Sequence, residues 1–85
     1  MRTFQISIEE YNSMFIKQGG VCAICGRVET AKHQSGTVRK LAVDHNHLTG
    51  KIRGLLCGNC NNGLGRFEDN PVRLLAACSY LLSNS

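Results

Sequence analysis

The segment VDHNHLTGKIRGLLCGNCNNGLG, residues 43–65, concentrates side chains that can bind a metal ion or move a proton. Asp44 offers a carboxylate and Asn61 an amide carbonyl, and both are hard oxygen ligands that suit Mg²⁺ or Mn²⁺. His45 offers an imidazole whose ordinary pKa of about 6.5 suits a general base at neutral pH. Together these three residues predict a catalytic site.

Taken alone, Asp-His-x-His is a weak signal, and two other interpretations of the segment stay open. These residues can be ordinary polar loop side chains, or His45 and His47 can be additional zinc ligands. A regular strand points Asp44 and His45 to opposite faces, so a shared site requires the strand to bend or end there. The position of the segment between two Cys-x-x-Cys pairs makes the catalytic interpretation more specific.

Those pairs are Cys22 with Cys25 and Cys57 with Cys60. Each pair supplies two ligands to a tetrahedral ion, and the four thiolates together complete the shell of one structural zinc site. A redox motif and an iron–sulfur cluster are the alternatives, although a redox pair needs only one Cys-x-x-Cys and an α/β unit that this sequence lacks. We predict a closed zinc site that holds the fold and does not bind substrate.

The length of 85 residues indicates one small domain, residues 1–85, with little apolar surface to bury. A core of this size contributes about 3–5 kcal/mol to stability. Structural zinc sites contribute on the order of 10–16 kcal/mol of apparent binding free energy in peptides. The metal is therefore expected to dominate the stability of the fold.

Local patterns predict the elements that position these residues. Ser7 and Glu10 form the Ser-x-x-Glu pattern of a capping box, which predicts a helix over about residues 8–18. Alternation and turn residues predict strands over residues 38–44 and 51–56, with a turn at Ser35-Gly36. We expect the order helix, strand, strand, helix, helix.

Two helices are predicted in the last third of the chain. A short one covers residues 59–67, and Asn70 with Pro71 provides the N-cap and first residue of the other. Apolar residues at helical spacing predict that one face of this last helix is buried, which makes Cys78 a small core residue.

The formal net charge is +4, and basic residues outnumber acidic ones around the polar segment. Between residues 27 and 53 the basic residues are Arg27, Lys32, Arg39, Lys40, Lys51 and Arg53. This excess suggests a polyanionic partner, first of all nucleic acid, and an ordinary basic surface is the alternative. With no membrane span or signal peptide in the sequence, we expect a cytoplasmic protein.

Residues 41–82, LAVDHNHLTGKIRGLLCGNCNNGLGRFEDNPVRLLAACSYLL, closely resemble the recombination endonuclease VII family of phage and bacterial nucleases. That family belongs to the HNH, or ββα-metal (His-Me finger), group, and GGVCAICG at residues 19–26 resembles its first zinc knuckle. The resemblance implies a small α+β zinc-stabilised domain with a ββα-metal core, flanked by N- and C-terminal helices. For a phage protein the expected location is the host-cell cytoplasm.

The resemblance also implies roles for individual residues. His45 would be the general base that activates water for attack on a DNA phosphodiester, leaving 5′-phosphate and 3′-hydroxyl ends. Asp44 and Asn61 would bind the catalytic Mg²⁺, for which Mn²⁺ can substitute. His47 matches a second family histidine that orients the site or contacts phosphate.

The sequence also leads to expectations about DNA contacts, oligomeric state and rival functions. Charge and proximity make Lys51 and Arg53 candidates for DNA phosphate contacts. Leu64 stands where a well-studied, dimeric relative carries an acidic residue, and this chain stops before that relative's C-terminal extension. We therefore expect a nicking monomer, with a dimer as the alternative. A non-catalytic, zinc-dependent nucleic-acid-binding module and a protein-binding adaptor are the rival functions.

Overall fold

The computed structural model describes residues 6–29, 36 and 40–84, and it is a small α+β fold. The elements follow the predicted order: α1 (Ile8–Lys17), β1 (Ala42–His45), β2 (Ile52–Leu56), α2 (Gly58–Arg66) and α3 (Pro71–Ser83). The predicted turn residue Ser35 and the basic residues Lys32 and Arg39 lie outside the described residues. No helix of the described residues is long and apolar enough to cross a membrane.

Two helices begin where the sequence predicted, because side chains bind their free backbone N–H groups. The Ser7 hydroxyl accepts a hydrogen bond from the Glu10 N–H, and the Glu10 carboxylate accepts one from the Ser7 N–H, both at 3.0 Å. At the start of α3 the Asn70 side chain accepts from the N–H groups of Val72 at 3.0 Å and Arg73 at 3.2 Å.

The two strands form an antiparallel hairpin that contains an irregularity at the polar segment. Asp44 pairs with Gly54, whereas the next residue, His45, pairs with Ile52, so that Arg53 is an extra residue on β2. Such a bulge interrupts the alternation of side chains and re-aims them. The bulged strand is β2, whereas β1, which carries Asp44 and His45, ends at His45, so the regular alternation of its side chains stops there.

Of the predicted strand at residues 38–44, positions 38 and 39 lie outside the described residues, and Lys40 and Leu41 are described but do not belong to β1. Pairing begins at Ala42, opposite Leu56, which is the last residue of β2. Cys57 directly after it is already the N-cap of α2, so the partner strand offers no further backbone to pair with.

Asn46 organises the loop that joins the strands. Its side-chain oxygen accepts hydrogen bonds from the N–H groups of Leu48 at 2.8 Å and Thr49 at 3.0 Å. Its own N–H donates to the Lys51 carbonyl at 2.8 Å. Asn46 thus closes the loop between the strands, as Asx turns do.

Gln18, the C-cap of α1, attaches the helix to β2. Its side-chain oxygen accepts from the Leu55 N–H at 3.0 Å, and its NH₂ group donates to the Leu55 carbonyl at 3.0 Å and the Val21 carbonyl at 2.8 Å. The amide therefore pairs with Leu55 as a residue of a neighbouring strand would.

The core is small and includes part of the cysteine cluster. Its buried members are Cys22, Leu41, Leu55, Leu56 and Cys57. No residue of α3 belongs to this core or to the partly buried residues that pack against it, among those that the structure describes. The predicted burial of Cys78 is wrong, because α3 lies outside the core and Cys78 is exposed.

Candidate functional site

The four paired cysteines converge, as predicted. Their sulfur atoms all lie within 4.8 Å of one another, and the Sγ atoms of Cys25 and Cys57 are 3.7 Å apart. A tetrahedral ion with metal–sulfur bonds of about 2.3 Å holds its ligands about 3.8 Å apart. The cluster can therefore hold a metal ion such as zinc.

Backbone N–H groups point at two of the sulfur atoms. The Ile24 N–H donates to Cys22 Sγ at 3.4 Å, and the Cys60 N–H donates to Cys57 Sγ at 3.5 Å. Gly26 has a positive φ of 71°, which a residue without a Cβ adopts at low cost, and its N–H donates to the Cys22 carbonyl at 3.0 Å. In each Cys-x-x-Cys pair the backbone therefore turns so that an N–H group faces a sulfur atom.

The acidity of the cysteines differs within the cluster. Burial raises the pKa of Cys22, but hydrogen bonds from backbone N–H groups outweigh it and lower the pKa to about 6. Burial, followed by the neighbouring sulfur atoms, raises the pKa of Cys60 to about 12. Four thiols this close lose all their protons only when a cation balances their charge, which is the chemistry of a metal site.

The two pairs are also joined by contacts that do not involve sulfur. The Glu29 carboxylate accepts a hydrogen bond of 2.6 Å from the Gly58 N–H at the start of α2. The Ala23 N–H donates to the Leu55 carbonyl at 3.1 Å. These contacts fix the first pair against β2 and α2.

Asp44 lies on β1 and is the buried charged residue among those that the structure describes. The Arg53 guanidinium donates to it twice, from Nε to Oδ2 at 2.7 Å and from Nη2 to Oδ1 at 3.0 Å. This hydrogen bonding with Asp44 raises the pKa of Arg53 above its ordinary value. The carboxylate is thus paired with a cation through two hydrogen bonds.

Asp69 adds a second carboxylate that the sequence analysis missed. Its Oδ2 atom accepts a hydrogen bond of 3.2 Å from Arg53 Nη2 and lies 3.3 Å from His47 Nε2. Asp69 follows α2 in a turn where it and Glu68 both have positive φ, of 55° and 57°. No residue spacing indicated this contact, because the turn after α2 brings Asp69 back to the hairpin.

His45, the last residue of β1, is half-buried, and its ring lies 4.7 Å from that of His47 in an edge-to-face arrangement. Asn61 is half-buried on α2, where its N–H donates to the Cys57 carbonyl at 2.9 Å. α2 packs against β1. The helix that carries Asn61 therefore lies against the strand that carries Asp44 and His45.

A cleft of about 430 Å³ opens beside Arg53, the partner of Asp44, but Asp44, His45 and Asn61 are not among the described residues that line it. It lies between the hairpin loop and the end of α2, and His47, Arg53 and Asp69 line it. Lys51 is exposed on the same hairpin, and Lys40 is exposed shortly before β1. The cleft thus places an imidazole and a guanidinium beside the carboxylates of Glu68 and Asp69, with exposed lysines nearby.

Comparison with known proteins gives consistent matches. The sequence model of the recombination endonuclease VII family matches residues 1–83. The Gene 59 protein of Mycobacterium phage D29 is 42% identical over 82 residues, which cover 95% of this chain and 46% of that protein. The Gene 59 protein of Mycobacterium phage L5 is 39% identical over 84 residues, covering 98% and 48%. The chain spans about half the length of these curated relatives.

Proposed function

Because this chain belongs to the recombination endonuclease VII family, we propose that it is a metal-dependent DNA endonuclease of the HNH type. Residues 1–85 form one nuclease domain, and β1, β2 and α2 are its ββα-metal core. One observation carries the proposal: α2, with Asn61, packs against β1, with Asp44 and His45. A nucleic-acid-binding module needs no such juxtaposition.

In the proposed reaction His45 takes a proton from the water that attacks the phosphodiester. His47, Lys51 and Arg53 contact phosphate groups of the DNA. The products carry 5′-phosphate and 3′-hydroxyl ends, and cleavage of one strand at a time suits a chain with a single site.

Asp44 and Asn61 would hold the catalytic Mg²⁺ or Mn²⁺. The donor set fits, because a carboxylate and an amide are hard oxygen ligands. The buried Asp44 carboxylate already attracts the positive charge of Arg53 at 2.7 Å. When bound, the ion supplies stabilisation of negative charge on the phosphate and on the leaving 3′ oxygen.

The four cysteines would hold zinc in a closed, structural site. Four thiolates leave no open position for water, so the cysteines position the catalytic residues and take no part in hydrolysis. Asn61 directly follows Cys60, so this cluster fixes its place at the start of α2.

The test is cleavage of supercoiled plasmid by zinc-loaded protein with Mg²⁺, with Mn²⁺ or with EDTA added just before the DNA. We expect open circles in the presence of metal, and a rate lower by about 10²–10⁴-fold for His45→Ala. Zinc content is measured in every sample, and RNA substrates run in parallel establish which nucleic acid is cut.

Equal rates for the parent and His45→Ala would refute the general base. Binding of DNA without cleavage under any condition would instead support the non-catalytic zinc-dependent module.

A further inference from the structure

We propose that Asp69 is a positioning residue that controls, through Arg53, how tightly Asp44 binds a divalent metal ion. The proposal rests on the proposed function, because it takes Asp44 as a metal ligand. Asp69 gives the Arg53 guanidinium a second carboxylate partner, and so lowers the cost of releasing Asp44 to the metal.

The contacts of Arg53 show that it is shared between two carboxylates. Its Nη2 atom donates to Asp44 Oδ1 at 3.0 Å and to Asp69 Oδ2 at 3.2 Å, while its Nε donates to Asp44 Oδ2 at 2.7 Å. A guanidinium has five N–H donors in one plane, so a small rotation can transfer hydrogen bonds from one carboxylate to the other.

Arg53 and a divalent ion compete for the same oxygen atoms. Both oxygens of Asp44 accept hydrogen bonds from Arg53. A metal ion bound there must displace at least part of that pairing and also repels the guanidinium charge. With Asp69 beside it, Arg53 keeps one ion pair when the metal displaces it from Asp44.

Asp69 is held in place for this role by the turn after α2. Its N–H donates to the Leu64 carbonyl at 2.8 Å, and its φ of 55° is in the left-handed region. Asp and Asn tolerate this conformation better than most residues, because their short side chains can bond locally. The carboxylate is further fixed by His47 Nε2 at 3.3 Å.

Glu68 provides a matched control. It is the preceding residue, it also has a left-handed backbone, and its carboxylate pairs with Arg73 at 3.2 Å rather than with Arg53. Glu68→Gln and Asp69→Asn remove the same charge from adjacent positions, but only Asp69→Asn removes a partner of Arg53.

The experiment measures Mn²⁺ binding directly, without DNA, by the electron paramagnetic resonance signal of free Mn²⁺. Zinc-loaded parent protein is compared with Asp69→Asn, Arg53→Gln, the double variant and Glu68→Gln. We expect Arg53→Gln to tighten binding about fivefold, which lies within the usual range of coupling between two ligands. Asp69→Asn should weaken binding about threefold in the parent and have little effect in the Arg53→Gln background.

An equal loss from Asp69→Asn in both backgrounds would mean that its charge acts directly on the metal, and would overturn the proposal. An equal loss from Glu68→Gln would do the same. Asn is compatible with the left-handed backbone, and zinc content and thermal unfolding verify that each variant is folded.

An Asp44→Asn arm separates this inference from the proposed function. If Asp44→Asn leaves Mn²⁺ binding unchanged, or if the parent binds no Mn²⁺, the assignment of Asp44 as a metal ligand fails and the inference fails with it. If Asp44→Asn abolishes binding while Asp69 and Arg53 are uncoupled, only the role of Asp69 fails.

Discussion

Arg53 binds Asp44 with both Nε and Nη2 at the point where the hairpin register shifts, because the bulge makes Arg53 the extra residue of β2. This ion pair therefore lies at the irregular part of the backbone and also balances the charge of Asp44. Asp44 is mostly buried, with 11% of its side chain exposed, so its carboxylate depends on this partner.

Arg53→Ala should therefore lower the free energy of unfolding by about 2 kcal/mol, because it leaves a nearly buried carboxylate without its cation. Arg53→Lys should recover only part of the loss, since an ammonium lacks the planar fork that binds both oxygens. Urea unfolding of zinc-loaded protein without Mg²⁺ measures the effect. Arg73→Ala, which removes the exposed pair with Glu68, is the control, and equal losses would contradict the prediction.

Cys22→Ser should abolish metal binding at the cysteine cluster and unfold most of the protein. The ion contributes about 10 kcal/mol or more in comparable sites, which exceeds what the small core supplies. Cys78→Ser is the matched control, because Cys78 is exposed on α3. Zinc content and circular dichroism measure both variants. Similar behaviour of the two would show that the cluster does not hold the fold.

Gln18→Leu should destabilise the protein by about 2–3 kcal/mol, because it removes the acceptor of the Leu55 N–H and one of the donors to the Leu55 carbonyl. Gln18→Glu keeps the acceptor for the Leu55 N–H but places a carboxylate against two carbonyl groups, so it should not restore stability. Chemical denaturation checks both variants. Full stability of Gln18→Glu would mean that the donor half of the amide is unimportant.

Tyr11→Phe should cost about 1 kcal/mol, because it removes the hydrogen bond of 2.7 Å to the Leu41 carbonyl. Burial raises the pKa of Tyr11 above its ordinary value of 10. The protonated phenol is thus favoured in the folded state, and its contribution is fully present below pH 10 and is lost as pH rises through the folded-state pKa.

The difference in stability between the parent and Tyr11→Phe should accordingly shrink at alkaline pH. Tyr80→Phe is the control, since Tyr80 is exposed and its substitution should have a small effect on stability. A difference for Tyr11→Phe that stays constant above pH 10 would argue against the raised pKa.

The features predicted best from the sequence are those that depend on residues near one another in the chain. Ser7 and Glu10 predicted the start of α1, and Asn70 with Pro71 predicted the start of α3, because a helix cap is completed within three or four residues. The cysteine cluster was predictable despite its long loop, since paired thiols have few other uses in such a chain.

The features that the sequence did not reveal depend on contacts between distant residues. The pairing of Gln18 with Leu55 and of Arg53 with Asp69 follows from packing and register, which a local pattern does not encode. Helical spacing identified an apolar face on α3 but not what it packs against, and the burial expected for Cys78 was therefore wrong.

The cysteine cluster also sets an order of events during translation. Cys22 and Cys25 are synthesised well before Cys57 and Cys60, so a nascent chain holds only half of a ligand shell for the time that the intervening residues take. The last ligand, Cys60, is added one residue before Asn61. The full ligand set and the neighbouring polar site are thus completed together, and a nascent chain that has not reached Cys60 carries neither.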